Sequence, residues 1–294
     1  MEFSYNITHI LVPTDFSDSA DTALKHAGNL AKLFQSKLSI LNVRESFAEH
    51  MVLQNYGLKG HTDKEFFQHV MKPLNDRAAM VFNEFGVKAD VVCKSGSIHT
   101  EVNKFVKENQ VSDIVIGMHG LKGRNSYFMG GHAYKIVNST KIPVLQVEAD
   151  AINYNYKNIV MPIDNSYHTR EKVPYVAMLA KKFNFLVRIP ALLTSNSSES
   201  RNNLIKILHQ VERYLNDRNI ATESELIQAG NLAKETLNYA EHHKADLIII
   251  MSEQESSISG IFLGPYAQQI VQQSRIPVFT IPPKLELVVS KVSI

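Results

Sequence analysis

The chain repeats itself, and that limits its possible folds more than any other feature. Residues 10–34 read ILVPTDFSDSADTALKHAGNLAKLF and residues 159–183 read IVMPIDNSYHTREKVPYVAMLAKKF. At a constant offset of 149, Ile10, Pro13, Asp15 and Ser17 meet Ile159, Pro162, Asp164 and Ser166. Leu30, Ala31, Lys32 and Phe34 meet Leu179, Ala180, Lys181 and Phe183 in the same register. The ends of the halves match at an offset of 134, where Gly130, Ala133, Ile136 and Ile142-Pro143-Val144 pair with Gly264, Ala267, Ile270 and Ile276-Pro277-Val278. The offset falls by 15, so the first half carries about 15 extra residues in its middle. Self-similarity on this scale marks a duplicated unit. It predicts two domains, 1–149 and 150–294, joined through the short polar stretch ADAINYNYKN. A length of 294 residues suits two domains at ~100–200 residues each.

Within each half, short apolar runs alternate with helical patterns. HILVP is a buried-strand run. Ser17, Asp18 and Ser19 supply capping side chains for a helix whose apolar face is Ala20, Leu24, Ala27, Ala31 and Phe34. KLSILNV is a second strand, and a helix over about Phe66 to Phe85 ends at Gly86, a C′ glycine. VKADVVCK, DIVIGM and IPVLQV complete five strands, with helices over Thr100–Asn109 and His132–Ser139. The second half repeats the order with NIVMP, FLVRIP, TESELIQA, DLIIIM and IPVFTI. Strands that alternate with helices pair in parallel through right-handed crossovers. The expected class is α/β, with two repeated, doubly wound, Rossmann-like parallel sheets of five strands. Glu45 to Lys64 has no clear periodicity and reads as a loop or partly helical excursion holding most of the surplus.

Composition excludes several functions. Hydrophobic residues make up 44% and charged residues 20%, the balance of a globular protein with real cores. The formal net charge of +2 supplies no strong field for nucleic acid or anionic lipid. A single cysteine, Cys93, excludes an internal disulfide framework and a cysteine-based zinc site. It lies in the apolar VVC run and reads as buried. The longest apolar run, Ala245 to Met251, even counted through the interrupting Asp246, is far short of the ~20 residues that span a bilayer. The first residues show no secretory pattern. A cytoplasmic location is expected, with neither nucleic acid nor membrane as partner.

Ligands of doubly wound sheets bind beyond the carboxyl ends of the strands, where strand order reverses. Three segments of the first half converge there: Pro13-Thr14-Asp15, Asn42-Val43, and the stretch from Gly117 to Ala133. The third reads GMHGLKGRNSYFMGGHA. Its glycines let a backbone approach a ligand closely. Gly130-Gly131 lies where a helix starts, and free N–H groups there bind anions. Lys122 and Arg124 can neutralise phosphates, and Asp15 can accept from ribose hydroxyls or adenine.

These residues resemble the universal stress protein family, in tandem. The family motif is a strand followed by G-x-x-G-x(9)-G-[S/T]. The first half matches it at Gly117, Gly120 and Gly130, with Asp15 after strand one and an I-P-V last strand downstream. The likeness covers both halves. It implies an ATP-binding protein of the stress response, a sensor or regulator. Asp15 would contact adenosine, with Pro13 and Thr14 beside it, and Val43 would meet adenine through its backbone. Gly117, Met118 and Gly120 would pass near ribose and phosphates. Gly130, Gly131, His132 and Ala133 would offer N–H groups to the phosphates. Mg²⁺ could bridge those phosphates.

The resemblance also implies intrachain pairing of the two domains through their last strands, and a possible homodimer. One departure weakens binding: Gly131 stands where the motif has Ser or Thr, and one neutral hydrogen bond is worth ~0.5–1.5 kcal/mol. In the second half Met251, Gln254, Gly264 and Pro265 occupy the motif positions. Side chains lie in the phosphate path and Pro265 lacks an N–H, so that half is not expected to bind ATP.

Blander readings stand beside these. Asp15 and Asp164 could simply cap the first helix of each half. The glycine loop could be a mere connection. His119 and His132 read as locally bonded loop histidines, and His242-His243 as complements to a helix C-terminus. No Walker A pattern and no general base beside a nucleophilic water are readable, so catalysis would be slow ATP hydrolysis at most. The alternatives are an interaction module without ligand and a sluggish ATPase.

Overall fold

Parallel strands covered on both faces must be apolar throughout, and the central runs obey this. The computed structural model describes residues 5–44, 63–118, 131–253 and 263–283, with 63–68 and 131–132 as backbone alone. The first half supplies β1 (His9–Pro13), α1 (Asp18–Phe34), β2 (Lys37–Arg44), α2 (Asp63–Phe85), β3 (Ala89–Ser95), α3 (Ile98–Glu108), β4 (Asp113–Gly117) and α4 (Gly131–Ser139). There follow β5 (Val144–Val147), β6 (Asn158–Val160), α5 (Val173–Phe183), β7 (Leu186–Leu193), α6 (Ser198–Asn216), β8 (Thr222–Gln228), α7 (Leu232–His242), β9 (Leu247–Met251), α8 (Pro265–Gln273) and β10 (Val278–Ile281). Every residue of β1 and β9 is buried, whereas every residue of the outer strands β3 and β8 is half-buried or exposed. Cys93 on β3 is for that reason only partly buried, not the core residue its apolar run suggests.

The chain divides into two compact units. One holds Ile7–Thr140 with Val147–Ile152, the other Met1–Asn6, Lys141–Gln146 and Asn153–Ile294. In the N-terminal unit the order is β3-β2-β1-β4, all parallel. The C-terminal unit repeats it as β8-β7-β6-β9-β10, again parallel. Residues 144–146 of β5 add to that unit antiparallel to β10, pairing Gln146 with Val278 and Val144 with Thr280. There the Gln146 amide donates to the buried Thr280 hydroxyl at 3.3 Å.

Equivalent positions do equivalent work with different residues. The Ser112 hydroxyl accepts from the backbone N–H of Thr8 and His9, at 3.0 and 3.1 Å. Asp246 accepts from Lys157 and Asn158, both at 2.9 Å, in the same place. The His9 ring spans the Asn109 carbonyl and the Ser39 hydroxyl. The Asn158 amide spans the His243 carbonyl and the Arg188 guanidinium. Gly86 ends α2 at φ +73°, the left-handed conformation that a C′ glycine supplies.

The polar join is bonded on both sides. Thr22 and His26, one turn apart on α1, donate to the carbonyls of Ala149 and Ala151 at 2.9 and 2.7 Å. Burial pushes the His26 imidazole down to about 4, so it is neutral and its Nε2–H is the donor. Beyond residue 152, Asn153 donates to Asp246 and Tyr156 packs its ring 5.1 Å from Phe183. Among the described residues no helix is long and apolar enough to cross a membrane. The excursion over Glu45–Lys64 falls almost wholly outside the described residues.

Candidate functional site: a cleft at the switch point

From β1 the N-terminal chain moves out to β2 and β3, then crosses back to β4. Strand order therefore reverses between β1 and β4, the place where α/β sheets open a crevice. A cavity of about 140 Å³ lies there. Its floor is apolar: Pro13, Ala20, Leu41, Ile98, Ile116, Met118, Ala133 and Ile136. Thr14, Asp15 and Asn42 bring polarity, and Val43 and Gly117 bring backbone.

The turn after β1 is built by short polar side chains. Thr14 Oγ1 accepts from the Phe16 N–H at 3.0 Å. Asp15 Oδ1 accepts from both the N–H and the hydroxyl of Ser17. Ser17 Oγ in turn accepts from Ala20 N at 3.3 Å and caps α1. The helix cap is thus Ser17; Asp15 folds the turn that presents it, and its own side chain is exposed at the cavity. Phe16 is driven to φ +66°, a strained value for a bulky residue at a cost of ~1–3 kcal/mol.

Arg77 of α2 holds that strain. Its guanidinium lies 4.8 Å from the Phe16 ring centroid and donates to the Phe16 carbonyl at 3.2 Å. It also grips both oxygens of Asp21 in α1, at 2.5 and 2.9 Å. No pattern in the sequence marks Arg77, because the pairing spans 56 residues.

Asn42 ties the ends of β1 and β2 together. Its amide donates to the Thr14 carbonyl at 2.8 Å. In the C-terminal unit the corresponding carbonyl, Ile163, accepts from the backbone N–H of Leu192 at 2.8 Å. Leu192 corresponds to Val43 at the offset of 149. A side chain in one unit thus makes the bond that the strand backbone makes in the other. The Asn inside the apolar run SILNV was the available signal; Ile98 and Ile136 carried none, since only the tertiary fold brings α3 and α4 to the cleft.

Seven of the expected binding residues line this cavity: Pro13, Thr14, Asp15, Val43, Gly117, Met118 and Ala133. Gly131 and His132 form the start of α4. Gly120 and Gly130 lie outside the described residues, as do His119, Lys122 and Arg124. Gly117 owes its glycine to packing. A Cβ there would sit 2.5 Å from the Ser19 carbonyl carbon and 2.7 Å from Ala20 N, the first turn of α1.

The matching cleft of the C-terminal unit is nearly full, with about 10 Å³ left among Pro162, Asp164, Lys172, Met251, Tyr266 and their neighbours. That is the limit of one water. Met251 stands where Gly117 stands, and α5 begins only at Val173, whereas α1 begins at Asp18. Burial lowers the Lys172 ammonium to about 8, against the pull of Asp164, and raises the Tyr266 phenol.

The family model of the universal stress protein family matches residues 6–148 and again 155–282. The chain therefore belongs to that family, with two of its domains in tandem. It is 30% identical over 151 residues to the universal stress protein YxiE of Bacillus subtilis, covering 47% of this chain and 97% of that protein. It is 28% identical over 141 residues to the universal stress protein MJ0531 of Methanocaldococcus jannaschii, covering 47% and 81%. A universal stress protein structure from Archaeoglobus fulgidus superposes with a TM-score of 0.74 at 18% identity, covering 96% of this chain and 98% of that one. That likeness establishes the α/β fold.

Proposed function

We propose that the N-terminal unit binds adenine nucleotide, ATP, in the cleft at the ends of β1, β2 and β4. The observation that carries this reading is the contrast between two sister clefts: about 140 Å³ open beside Asp15, about 10 Å³ beside Asp164. Sites for whole drug-sized ligands measure ~300–1,000 Å³, so the apolar slot suits a flat ring and not an entire nucleotide. Adenine would lie against Leu41, Ile98, Ile116 and Ile136, and ribose against Asp15. The phosphates would face the start of α4, where helix N–H groups favour anions. Gly120 and Gly130 would extend that cradle. Asp15 is the single carboxylate lining the cavity among the described residues. Mg²⁺, which takes one or two carboxylates plus phosphates and waters, would then ride on the phosphates. Nucleotide occupancy would change partners or assembly in a stress response within the cytoplasm.

Titration calorimetry with ATP, ADP and AMP tests this on the full chain. About one site per chain is expected, lost in Asp15→Ala and kept in Asp164→Ala. Absence of binding at millimolar nucleotide would remove the proposal. A ligand-free interaction module is the second reading, favoured by Gly117, whose glycine the packing of α1 already explains. Under that reading Asp15→Ala changes no binding isotherm. Slow ATP hydrolysis has less support, because the sequence places no general base beside a nucleophilic water.

A further inference from the structure

Beside the turns that lead into α5, the C-terminal unit carries a groove of about 590 Å³. Its second wall is a face of α6, from which Lys206, Ile207 and Gln210 reach it at helical spacing. Small-molecule sites measure ~300–1,000 Å³, so the groove has room for a whole ligand. Two exposed cations line it, Arg170 from the turns and Lys206 from α6. At the offset of 149, Arg170 stands where Asp21 stands. In the N-terminal unit that position is a carboxylate, gripped by the guanidinium of Arg77 on α2. In the C-terminal unit the guanidinium is on the junction, and α6 offers it a neutral acceptor, Gln210 Oε1 at 2.5 Å. The charge of Arg77 is cancelled where it lies, and that of Arg170 is not. Glu171, which also lines the groove, gives a carboxylate oxygen to His168 Nδ1 at 2.6 Å. Among the described residues no carboxylate forms an ion pair with Arg170 or Lys206. Cations in a concave polar wall focus their field on anions. Tyr167 brings a ring to the same groove; it is 76% exposed and stands at right angles to the buried His168 ring, 4.8 Å between centroids.

We propose that this groove binds a phosphate monoester carried on a flat ring, with Arg170 and Lys206 taking the phosphate and Tyr167 the ring. Such a phosphate carries roughly −1.5 to −2 charge at neutral pH, which two cations match. The Gln210 amide engages Nη1 of Arg170, and a guanidinium has further N–H donors in a fork that suits phosphate oxygens. An exposed aromatic face offers stacking to a second ring, and Pro174 and Ile207 add apolar wall. The groove belongs wholly to the C-terminal unit, so the inference is independent of what the N-terminal cleft binds.

The chain contains no tryptophan, so Tyr167→Trp in the full chain places a single fluorescent reporter in the groove. Phenyl phosphate should change its emission saturably at millimolar concentration or below. Inorganic phosphate, which lacks the ring, and phenol, which lacks the charge, should each bind at least about tenfold more weakly. Arg170→Gln and Lys206→Gln, each added to Tyr167→Trp, should weaken phenyl phosphate by about tenfold or more, the loss expected for a charge-assisted hydrogen bond. Should the tryptophan variant fail to fold, calorimetry with phenyl phosphate on the parent and on Arg170→Gln makes the same comparison without it. An emission change that never saturates, equal affinity for the three probes, or an affinity that both glutamine substitutions leave unmoved overturns the proposal. The reporter and both substitutions lie in the C-terminal unit and no nucleotide is added, so failure here leaves the N-terminal reading where it stands.

Discussion

Gly117 shows what one absent methyl group can decide. The backbone of Ser19 and Ala20 passes so close that a Cβ must push the first turn of α1 away. Backbone cannot give as a side-chain end can, so Gly117→Ala should lower stability by ~1–3 kcal/mol, the usual cost of overpacking. Denaturant titration of the nucleotide-free protein measures it; an unchanged midpoint would return the glycine to a purely ligand-binding role. His26 acts through its proton. Its folded value of about 4 lies below the 6.5 of the free imidazole. Between those values the unfolded chain binds a proton the native chain refuses. Stability from this residue is therefore complete above pH 6.5 and is lost as pH falls toward 4, by roughly 3 kcal/mol in all. His26→Gln, which keeps a donor for Ala151 and cannot titrate, should flatten the stability profile across that window. A parallel profile in parent and variant would contradict this.

Among elements, the turn between β1 and α1 is where strain and binding meet. Phe16 remains at positive φ because Arg77 covers its ring, takes its carbonyl and anchors to Asp21. Arg77→Ala should relax the turn and move Asp15. Nucleotide affinity is expected to fall about tenfold, equivalent to ~1.4 kcal/mol, with α1 still helical by circular dichroism. Wild-type affinity in the variant would show that Ser17 and Thr14 hold the turn unaided. The C-terminal unit has solved the same junction differently. Met251 stands in place of Gly117, and α5 begins at Val173. A substitution at the end of one strand thus accompanies a later start for a helix from another part of the chain.

At the scale of the whole molecule, the described residues of two copies of one sequence pattern leave about 140 Å³ at one switch point and about 10 Å³ at the other. Nucleotide should therefore protect one unit. Hydrogen exchange with saturating ATP is expected to slow the amides around residues 13–17, 41–43 and 116–118, and to leave 162–172 and 250–252 unchanged. Equal protection in both stretches would count against the asymmetry. Much of this was legible beforehand. The repeat, the order of strands and helices, the Ser17 cap and the carboxylate after each first strand follow from local patterns, since buried periodicity and short-range hydrogen bonds are properties of neighbouring residues. The Arg77 clamp, the half-buried Cys93 and the lysine in the second cleft do not. Each depends on which distant segment comes to lie alongside, and a linear pattern holds no record of that. The sequence alone determined that two sister α/β units would form and where their crevices would open; tertiary packing decided which crevice stayed open, because a side chain fills a space only once the backbone around it has been placed.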